Sequence, residues 1–181
     1  MSLNKVEAFF MQNLDTLAKH LKGGGFLVTE GKAGTWLLSS TRQQSPLEKV
    51  AAFSDKEAYI LIGRMNDLYE YVMNFSDLAW EIAEGSEKAL LIWYDNAKSL
   101  VPKEVKDEQG NVGVMLNRCK SLEPLLQKMG HGLLCIRLSA SAEGWQAMPD
   151  VVPLPNDAEC RLAPERIMRL SAQGDVKFLK Y

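Results

Sequence analysis

Apolar positions in the first part of the chain repeat with the spacing of an amphipathic helix. Six large apolar residues share one helical stripe, and charged and amide residues occupy the other face. The stripe consists of Val6, Phe9, Phe10, Leu14, Leu17 and Leu21. Asn4 and Glu7 have the spacing of a capping box at the start of this helix. A glycine triplet at positions 23–25 can supply the positive φ that ends a helix, so we expect the helix to stop there.

Short apolar runs follow this helix and are typical of buried strands. They predict strands over residues 26–29, 35–40, 58–62, 89–94, 112–116, 133–138 and 166–170. Good helix caps and apolar periodicity predict helices between several of these strands. These are 67–74 with Asn66 as its cap, 77–84 with Ser76 as its cap, and a helix from about Ser121 to Gly130.

Two segments lack a regular pattern. Residues 41–49 are polar and contain Pro46, which is typical of a loop or a helix start. Residues 142–165 contain four prolines and are predicted to form an irregular crossing segment. The alternation of strands and helices elsewhere predicts one α/β domain over residues 1–181.

Composition and charge narrow the function classes. The 181 residues are 46% hydrophobic and 24% charged, which suits a globular domain with a sizeable core. A net charge of −2 argues against nucleic-acid binding driven by overall basic charge, while a local basic surface stays open. The sequence shows no membrane-length apolar run and no signal-peptide pattern. We therefore expect no membrane partner. Three scattered cysteines lack metal-type spacing and suggest no disulfide, so we expect a reduced, cytoplasmic protein.

Common catalytic motifs are missing from the sequence. It contains no Gly-x-Ser-x-Gly elbow, P-loop, dinucleotide fingerprint or His-Glu-x-x-His motif. His20 and His131 have no partner at ligand spacing, so no metal site is predicted. Trp36 and Trp145 lie near turns, which leaves base stacking open to either of them.

Four segments carry a resemblance to a known family: Thr29 to Gly34, and residues 112–114, 133–141 and 166–177. In order and spacing they resemble the YrdC/YciO family, whose members make threonylcarbamoyl-adenylate for tRNA modification. Thr29, Glu30 and Gly34 match the family's Pro-Thr-(Asp/Glu)-x-x-x-Gly motif, with Val28 in place of proline. Residues 112–114 resemble its Val-Gly-Val strand, residues 133–141 its strand and Ser-x-Asn turn, and residues 166–177 its closing arginine strand with a Gly-Asp-Val-Lys tail. The resemblance implies an α/β fold with a twisted mixed β-sheet, flanking helices and one concave face.

The anion-binding positions of the family differ in this chain. Residues 51–53, Ala-Ala-Phe, fill the place of its Lys-x-Arg pair, and Met115 and Asn117 replace a strand arginine and the following proline. Aligned without gaps, the Ser-x-Asn turn becomes Arg137-Leu138-Ser139, and the Pro-Ser-Thr segment has no clear match. Losing several anion contacts together is difficult to offset, because a buried phosphate without partners is costly.

The resemblance implies a ligand cleft on the concave face. The candidate residues for nucleotide or RNA binding are Thr29, Lys49, Lys56, Arg137, Ser139 and Arg169. Thr29 and Arg169 are equally explained as ordinary strand residues, and Lys56 as a solvated loop lysine. Arg137 lies in an apolar strand, where an unpaired guanidinium is expensive, so we expect it to face the cleft, a carboxylate or an anion.

Three functional hypotheses follow from this mixture of match and mismatch. The first is a diverged YrdC-like domain that binds a nucleotide, an RNA element such as tRNA or double-stranded RNA, or another anion, without full synthase activity. The second is a working threonylcarbamoyl-adenylate synthase that uses ATP and Mg²⁺, with Lys49 or Lys56 on the phosphates, Thr29 and Ser139 on threonine or carbamoyl oxygens, and Arg169 on the adenylate. The third is a protein-interaction or regulatory module without catalysis.

Overall fold

The computed structural model describes residues 3–31, 33–44, 46–140, 144–148 and 150–180. The side chains of four residues within these ranges are not described: Leu3, Asn4, Lys56 and Glu104. Within the described ranges, no helix is long and apolar enough to cross a membrane.

The strands form one mixed sheet, in the order β7-β1-β2-β6-β3-β5-β4-β8-β9. They are β1 (Phe26–Gly31), β2 (Gly34–Ser40), β3 (Ser54–Ile62), β4 (Leu90–Tyr94), β5 (Val112–Leu116), β6 (Leu133–Leu138), β7 (Val151–Pro153), β8 (Arg166–Leu170) and β9 (Val176–Lys180). The pairs β1–β7, β3–β5 and β4–β8 are parallel, and the other neighbours are antiparallel. The predicted mixed α/β sheet is therefore confirmed.

Helices lie on both faces of the sheet. The α-helices are α1 (Leu3–Lys22), α2 (Pro46–Val50), α3 (Asp77–Gly85) and α4 (Glu123–Met129). Short 3₁₀ helices span Met65–Glu70, Lys103–Val105, Lys120–Leu122 and Trp145–Ala147. The helix α1 ends where predicted, and Gly24 has a φ of 91°, a conformation that glycine adopts without strain.

Two apolar clusters, one on each face, explain the continuous apolar runs of the central strands. One face packs Leu27, Trp36, Tyr59 and Leu91 against α1 and α4. The other face packs its cluster against the 3₁₀ helix Met65–Glu70, α2 and α3. Strands covered on both faces lose the hydrophobic alternation of a half-exposed strand.

Several local predictions were wrong. The helix α1 begins at Leu3, so Asn4 lies inside its first turn and is not its cap. The segment predicted as a helix over 67–74 is the 3₁₀ helix Met65–Glu70, preceded by Arg64, whose backbone N–H donates to Asp67 Oδ2 at 3.1 Å. Part of the irregular segment 142–165 forms β7, which gains its order by pairing with β1.

The expectation of no disulfide was also wrong. Cys119 and Cys160 form a disulfide across 41 residues of sequence, while Cys135 is a free, buried thiol. The fold brings the two cysteines together although their sequence spacing carries no signal. The cytoplasmic setting stays a prediction.

Candidate functional site

One face of the sheet carries three of the six candidate residues. The register places Thr29 opposite Trp36 and Trp36 opposite Arg137, so these three side chains form a row on one face. Arg169 pairs in register with Trp93, which packs in the apolar cluster on the same face. Backbone pairing thus confirms that Thr29, Arg137 and Arg169 share a face.

This face is concave, because the sheet curls enough to bring β1 and β9 to the same cleft. Thr29 of β1 and Lys180 of β9 line the same cleft. In a flat sheet, the seven strand spacings between β1 and β9 would separate them by about 34 Å. We call this surface the concave face and the opposite one the outer face.

The cleft on the concave face has a volume of about 470 Å³. The hairpin of β1 and β2 forms one wall, and the segment before β8 forms the other. Its lining includes Thr29, Glu30, Trp36, Asp157, Cys160, Arg161, Glu165 and Lys180. This volume falls within the range of about 300–1,000 Å³ that is common for small-molecule sites.

Trp36 lines this cleft and carries a buried hydrogen-bond donor without a partner in the described part of the chain. Its side chain is 3% exposed and contacts the Tyr59 ring edge-on, with 5.5 Å between the ring centroids. Its indole Nε1 is buried and has no acceptor among the described residues. A buried donor without a partner is uncommon in folded proteins. Burial of the ring leaves no free face for the base stacking suggested by the sequence.

Charged groups at the cleft are partly engaged with each other. Arg161 Nη1 donates to Glu165 Oε1 at 3.0 Å, and Lys180 Nζ donates to the Pro164 carbonyl oxygen at 3.0 Å. The backbone N–H of Ala89, bonded to Glu165, is the main cause that lowers the pKa of this carboxyl group. The Lys180 ammonium has three donors, so it keeps capacity for a ligand anion.

Arg137 stands beside the cleft but is held by two carboxylates. Its Nη1 donates to Glu57 Oε2 at 2.9 Å, and its Nε lies 3.5 Å from Asp55 Oδ2. The hydrogen bond with Glu57, followed by Coulombic attraction to Glu57, raises the pKa of Arg137. The carboxylate alternative for Arg137 is therefore the one that the structure shows.

Arg169 is engaged in a different network on the concave face. Its Nη2 donates to Asp107 Oδ2 at 3.0 Å, and its Nη1 donates to the Gln109 side chain. Its buried Nε has no partner among the described residues. Burial tends to raise the pKa of Asp107, but hydrogen bonds from Asn111 and Gln109 and the charge of Arg169 lower it on balance.

The other three candidates, Lys49, Ser139 and Lys56, do not lie together in the cleft. Lys49 lies on α2, which packs on the outer face, and it lines a separate cavity of about 550 Å³ with Phe53 and Asp150. Ser139 follows β6, and its backbone N–H donates to the Phe53 carbonyl oxygen at 2.7 Å. Lys56 belongs to β3, but its side chain lies outside the described residues.

A larger cavity, of about 830 Å³, lies on the outer face. Its floor is apolar, and polar groups around it are paired: Arg42 with Glu70 at 3.5 Å and Thr41 with Tyr71 at 3.0 Å. None of the six candidates lines it. The concave cleft is therefore the better candidate, because one predicted residue, Thr29, and Trp36, unpartnered among the described residues, both line it.

One group in the described part of the chain has ligands that suit a metal ion. The ligand atoms of Cys119, Asp157 and Cys160 lie within 4.8 Å of one another. Since both sulfur atoms are joined in the disulfide, they are not available as thiolate ligands in this state.

Comparison with known proteins identifies structural neighbours only. No family model and no curated protein matches the sequence. The crystal structure of E. coli YciO matches with a TM-score of 0.72 and 10% identity, over 93% of this chain and 88% of that chain. P. abyssi Sua5 complexed with L-threonine matches with a TM-score of 0.69 and 13% identity, over 88% of this chain and 51% of that chain.

A third neighbour is full-length HypF in a phosphate- and nucleotide-bound form. It matches with a TM-score of 0.66 and 16% identity, over 92% of this chain and 28% of that chain. This chain thus spans about half of Sua5 and about a quarter of HypF. The fold of this chain is that of the YrdC/YciO family, as the sequence resemblance predicted.

Proposed function

We propose that the concave cleft binds a small anionic ligand such as a nucleotide, and that the protein is a diverged YrdC-like domain without full synthase activity. The observation that carries this proposal is the buried Trp36 N–H, which lacks an acceptor beside a cleft of about 470 Å³. A ligand oxygen would satisfy it if the atoms that cover Nε1 moved aside on binding. Structural neighbours with bound L-threonine or nucleotide support a ligand site in this fold.

The groups around Trp36 fit an anion with a polar body. Lys180 and Arg161 supply positive charge at one wall, and the half-buried Thr29 can donate or accept a hydrogen bond at the other. Three carboxylates, those of Glu30, Asp157 and Glu165, also line the cleft, so a ligand with both acceptor and donor groups fits better than a bare polyanion. A nucleotide with its base and ribose has this mixture.

Three features argue against efficient adenylate formation. Met115, at the place of the family's strand arginine, is 1% exposed and packs in the apolar cluster. Asn117 uses both its side-chain oxygen and nitrogen on the backbone of Cys119. Arg137 and Arg169 are each paired with carboxylates. Fewer cations therefore stay free to stabilise charge developing at the α-phosphorus.

RNA binding, including tRNA or double-stranded RNA, is the less favoured form of the proposal. Arg137 and Arg169 are already paired with carboxylates, and the net charge is −2, so attraction to a phosphate backbone is weak. RNA and protein partners stay predictions from the resemblance, as does a need for ATP and Mg²⁺.

Calorimetry with purified protein tests the proposal. ATP–Mg²⁺ is titrated with and without L-threonine, and pyrophosphate release is followed in parallel. We expect saturable nucleotide binding without threonine-dependent pyrophosphate release. Release that requires threonine would instead support the synthase. An absence of binding at millimolar nucleotide, together with salt-sensitive RNA binding, would overturn the small-ligand proposal.

A further inference from the structure

The disulfide joins two parts of the protein behind the wall of the cleft. Cys119 lies in the loop after β5, and Cys160 lies in the segment between β7 and β8, with 4.6 Å between their Cα atoms. Cys119 is 2% exposed, whereas Cys160 is half-buried and lines the cleft. A reductant can therefore reach the sulfur of Cys160 more easily than that of Cys119.

The segment 154–165 is anchored at its two ends and at Leu162, whose side chain is buried in the apolar cluster and whose carbonyl oxygen accepts a hydrogen bond from the Tyr59 hydroxyl. At its ends, the Leu154 N–H donates to the Val28 carbonyl oxygen at 2.8 Å, and the Glu165 N–H donates to the Ala89 carbonyl oxygen at 2.9 Å. It contains no helix or strand in the described chain.

Between Leu154 and Leu162, two links from the loop that holds Cys119 and Ser121 attach the segment to the body of the protein. Ser121 Oγ donates to Asp157 Oδ2 at 2.6 Å, and the disulfide is the second link. Reduction therefore removes the only covalent cross-link between this stretch and the body of the described protein.

We propose that Cys119–Cys160 is a reversible thiol–disulfide site whose redox state sets the mobility of residues 155–161. The partner is a dithiol reductant, either a small molecule or a protein. One of its thiolates attacks Cys160 Sγ, the bond between the two protein sulfurs breaks, and the Cys119 sulfur leaves with the electron pair and takes up a proton. The second thiol of the reductant then attacks the mixed disulfide, which releases Cys160 as a thiol and leaves the reductant as a disulfide.

The structure indicates which side moves after reduction. Two unbonded sulfur atoms need more separation than a bonded pair. Cys119 is fixed because Asn117 donates to its carbonyl oxygen at 2.9 Å and accepts from its N–H at 3.0 Å. The displacement therefore falls on Cys160 and the residues around it.

Alkylation and hydrogen exchange on the full chain test this proposal. The protein is equilibrated in glutathione buffers of varied oxidation, free thiols are alkylated, and each cysteine is assigned by peptide mass. Cys135 is an internal control, because burial raises the pKa of its thiol to about 12 and protects it from native alkylation. We expect Cys119 and Cys160 to gain and lose label together and reversibly.

Amide hydrogen exchange then measures the mobility of residues 155–161, and it requires no ligand in the cleft. On reduction, peptides covering 155–161 should exchange faster by on the order of tenfold, while α4 stays unchanged. The double variant C119S/C160S should show the fast pattern even under oxidising conditions. A pair that stays oxidised or reduced in every glutathione buffer, or equal exchange in both states, would overturn the proposal.

Discussion

Replacing Trp36 with phenylalanine removes the indole N–H and keeps an aromatic ring in the cleft. The side chain is 3% exposed, and its Nε1 has no acceptor among the described residues. Loss of an unsatisfied buried donor stabilises the free protein by about 1–3 kcal/mol, and the smaller ring leaves a void that costs about 1 kcal/mol. Because the two effects oppose each other, we expect the free energy of unfolding to change by no more than about 2 kcal/mol.

For ligand binding, no opposing effect offsets the loss of the indole N–H. A hydrogen bond to a charged acceptor contributes about 1.5–3 kcal/mol, and each 1.4 kcal/mol is a factor of ten in affinity. Trp36→Phe should therefore weaken binding of ATP–Mg²⁺ by about 10- to 150-fold. The protein should still fold, with its free energy of unfolding changed by no more than about 2 kcal/mol.

Calorimetry of the variant and urea unfolding separate these two effects. Trp93→Phe is a matched control, because Trp93 lies on the same face of the sheet but outside the lining of the cleft. We expect this control to bind as the wild-type protein does. Equal affinity of Trp36→Phe and wild type for ATP–Mg²⁺ would show that the nucleotide does not accept a hydrogen bond from the indole N–H, and would refute this role of Trp36.

Other predictions concern core packing at Gly132, the pH dependence of stability at Asp107 and the location of Lys49 outside the cleft. Gly132→Ala should lower the free energy of unfolding in urea by about 1–3 kcal/mol, because an added Cβ would lie 2.8–3.0 Å from neighbouring atoms; Gly85→Ala, with open space around it, should not. The pKa of Asp107 is lowered from 3.8, so its ionised form stabilises the fold above pH 3.8 and this contribution is lost as pH falls through the native pKa. Asp107→Asn should thus lower the thermal midpoint at pH 7 but much less near pH 3. An equal decrease in the thermal midpoint at both pH values would contradict a lowered pKa for Asp107. Lys49→Gln should leave nucleotide affinity unchanged in calorimetry, because Lys49 lies on the outer face; a large loss would place the ligand there instead.

Local sequence patterns predicted the elements that local residues determine. Strong apolar runs located β4, β5, β6 and β8 nearly at their observed bounds, and the apolar stripe and glycine triplet located α1. Elements that depend on distant partners were missed. The three residues of β7 include a proline and become a strand only by parallel pairing with β1.

The sequence predicted part of the geometry around the cleft but not its detail. The register places the predicted residues Thr29 and Arg137 on one face, and their role in binding stays a prediction. The partners of Arg137 come from β3, and the unmet donor of Trp36 is visible only when every neighbouring acceptor is known. The disulfide likewise required the approach of two loops distant in sequence.

The indole N–H resonances of isotopically labelled protein give the most direct test of the central claim. The four tryptophans supply four such signals, and the loss of one signal in Trp36→Phe assigns that of Trp36. On titration with ATP–Mg²⁺, the account predicts a saturable shift of the Trp36 signal, with much smaller changes in the other three. A saturable shift elsewhere that leaves Trp36 unmoved, or no shift at millimolar nucleotide, would contradict the account.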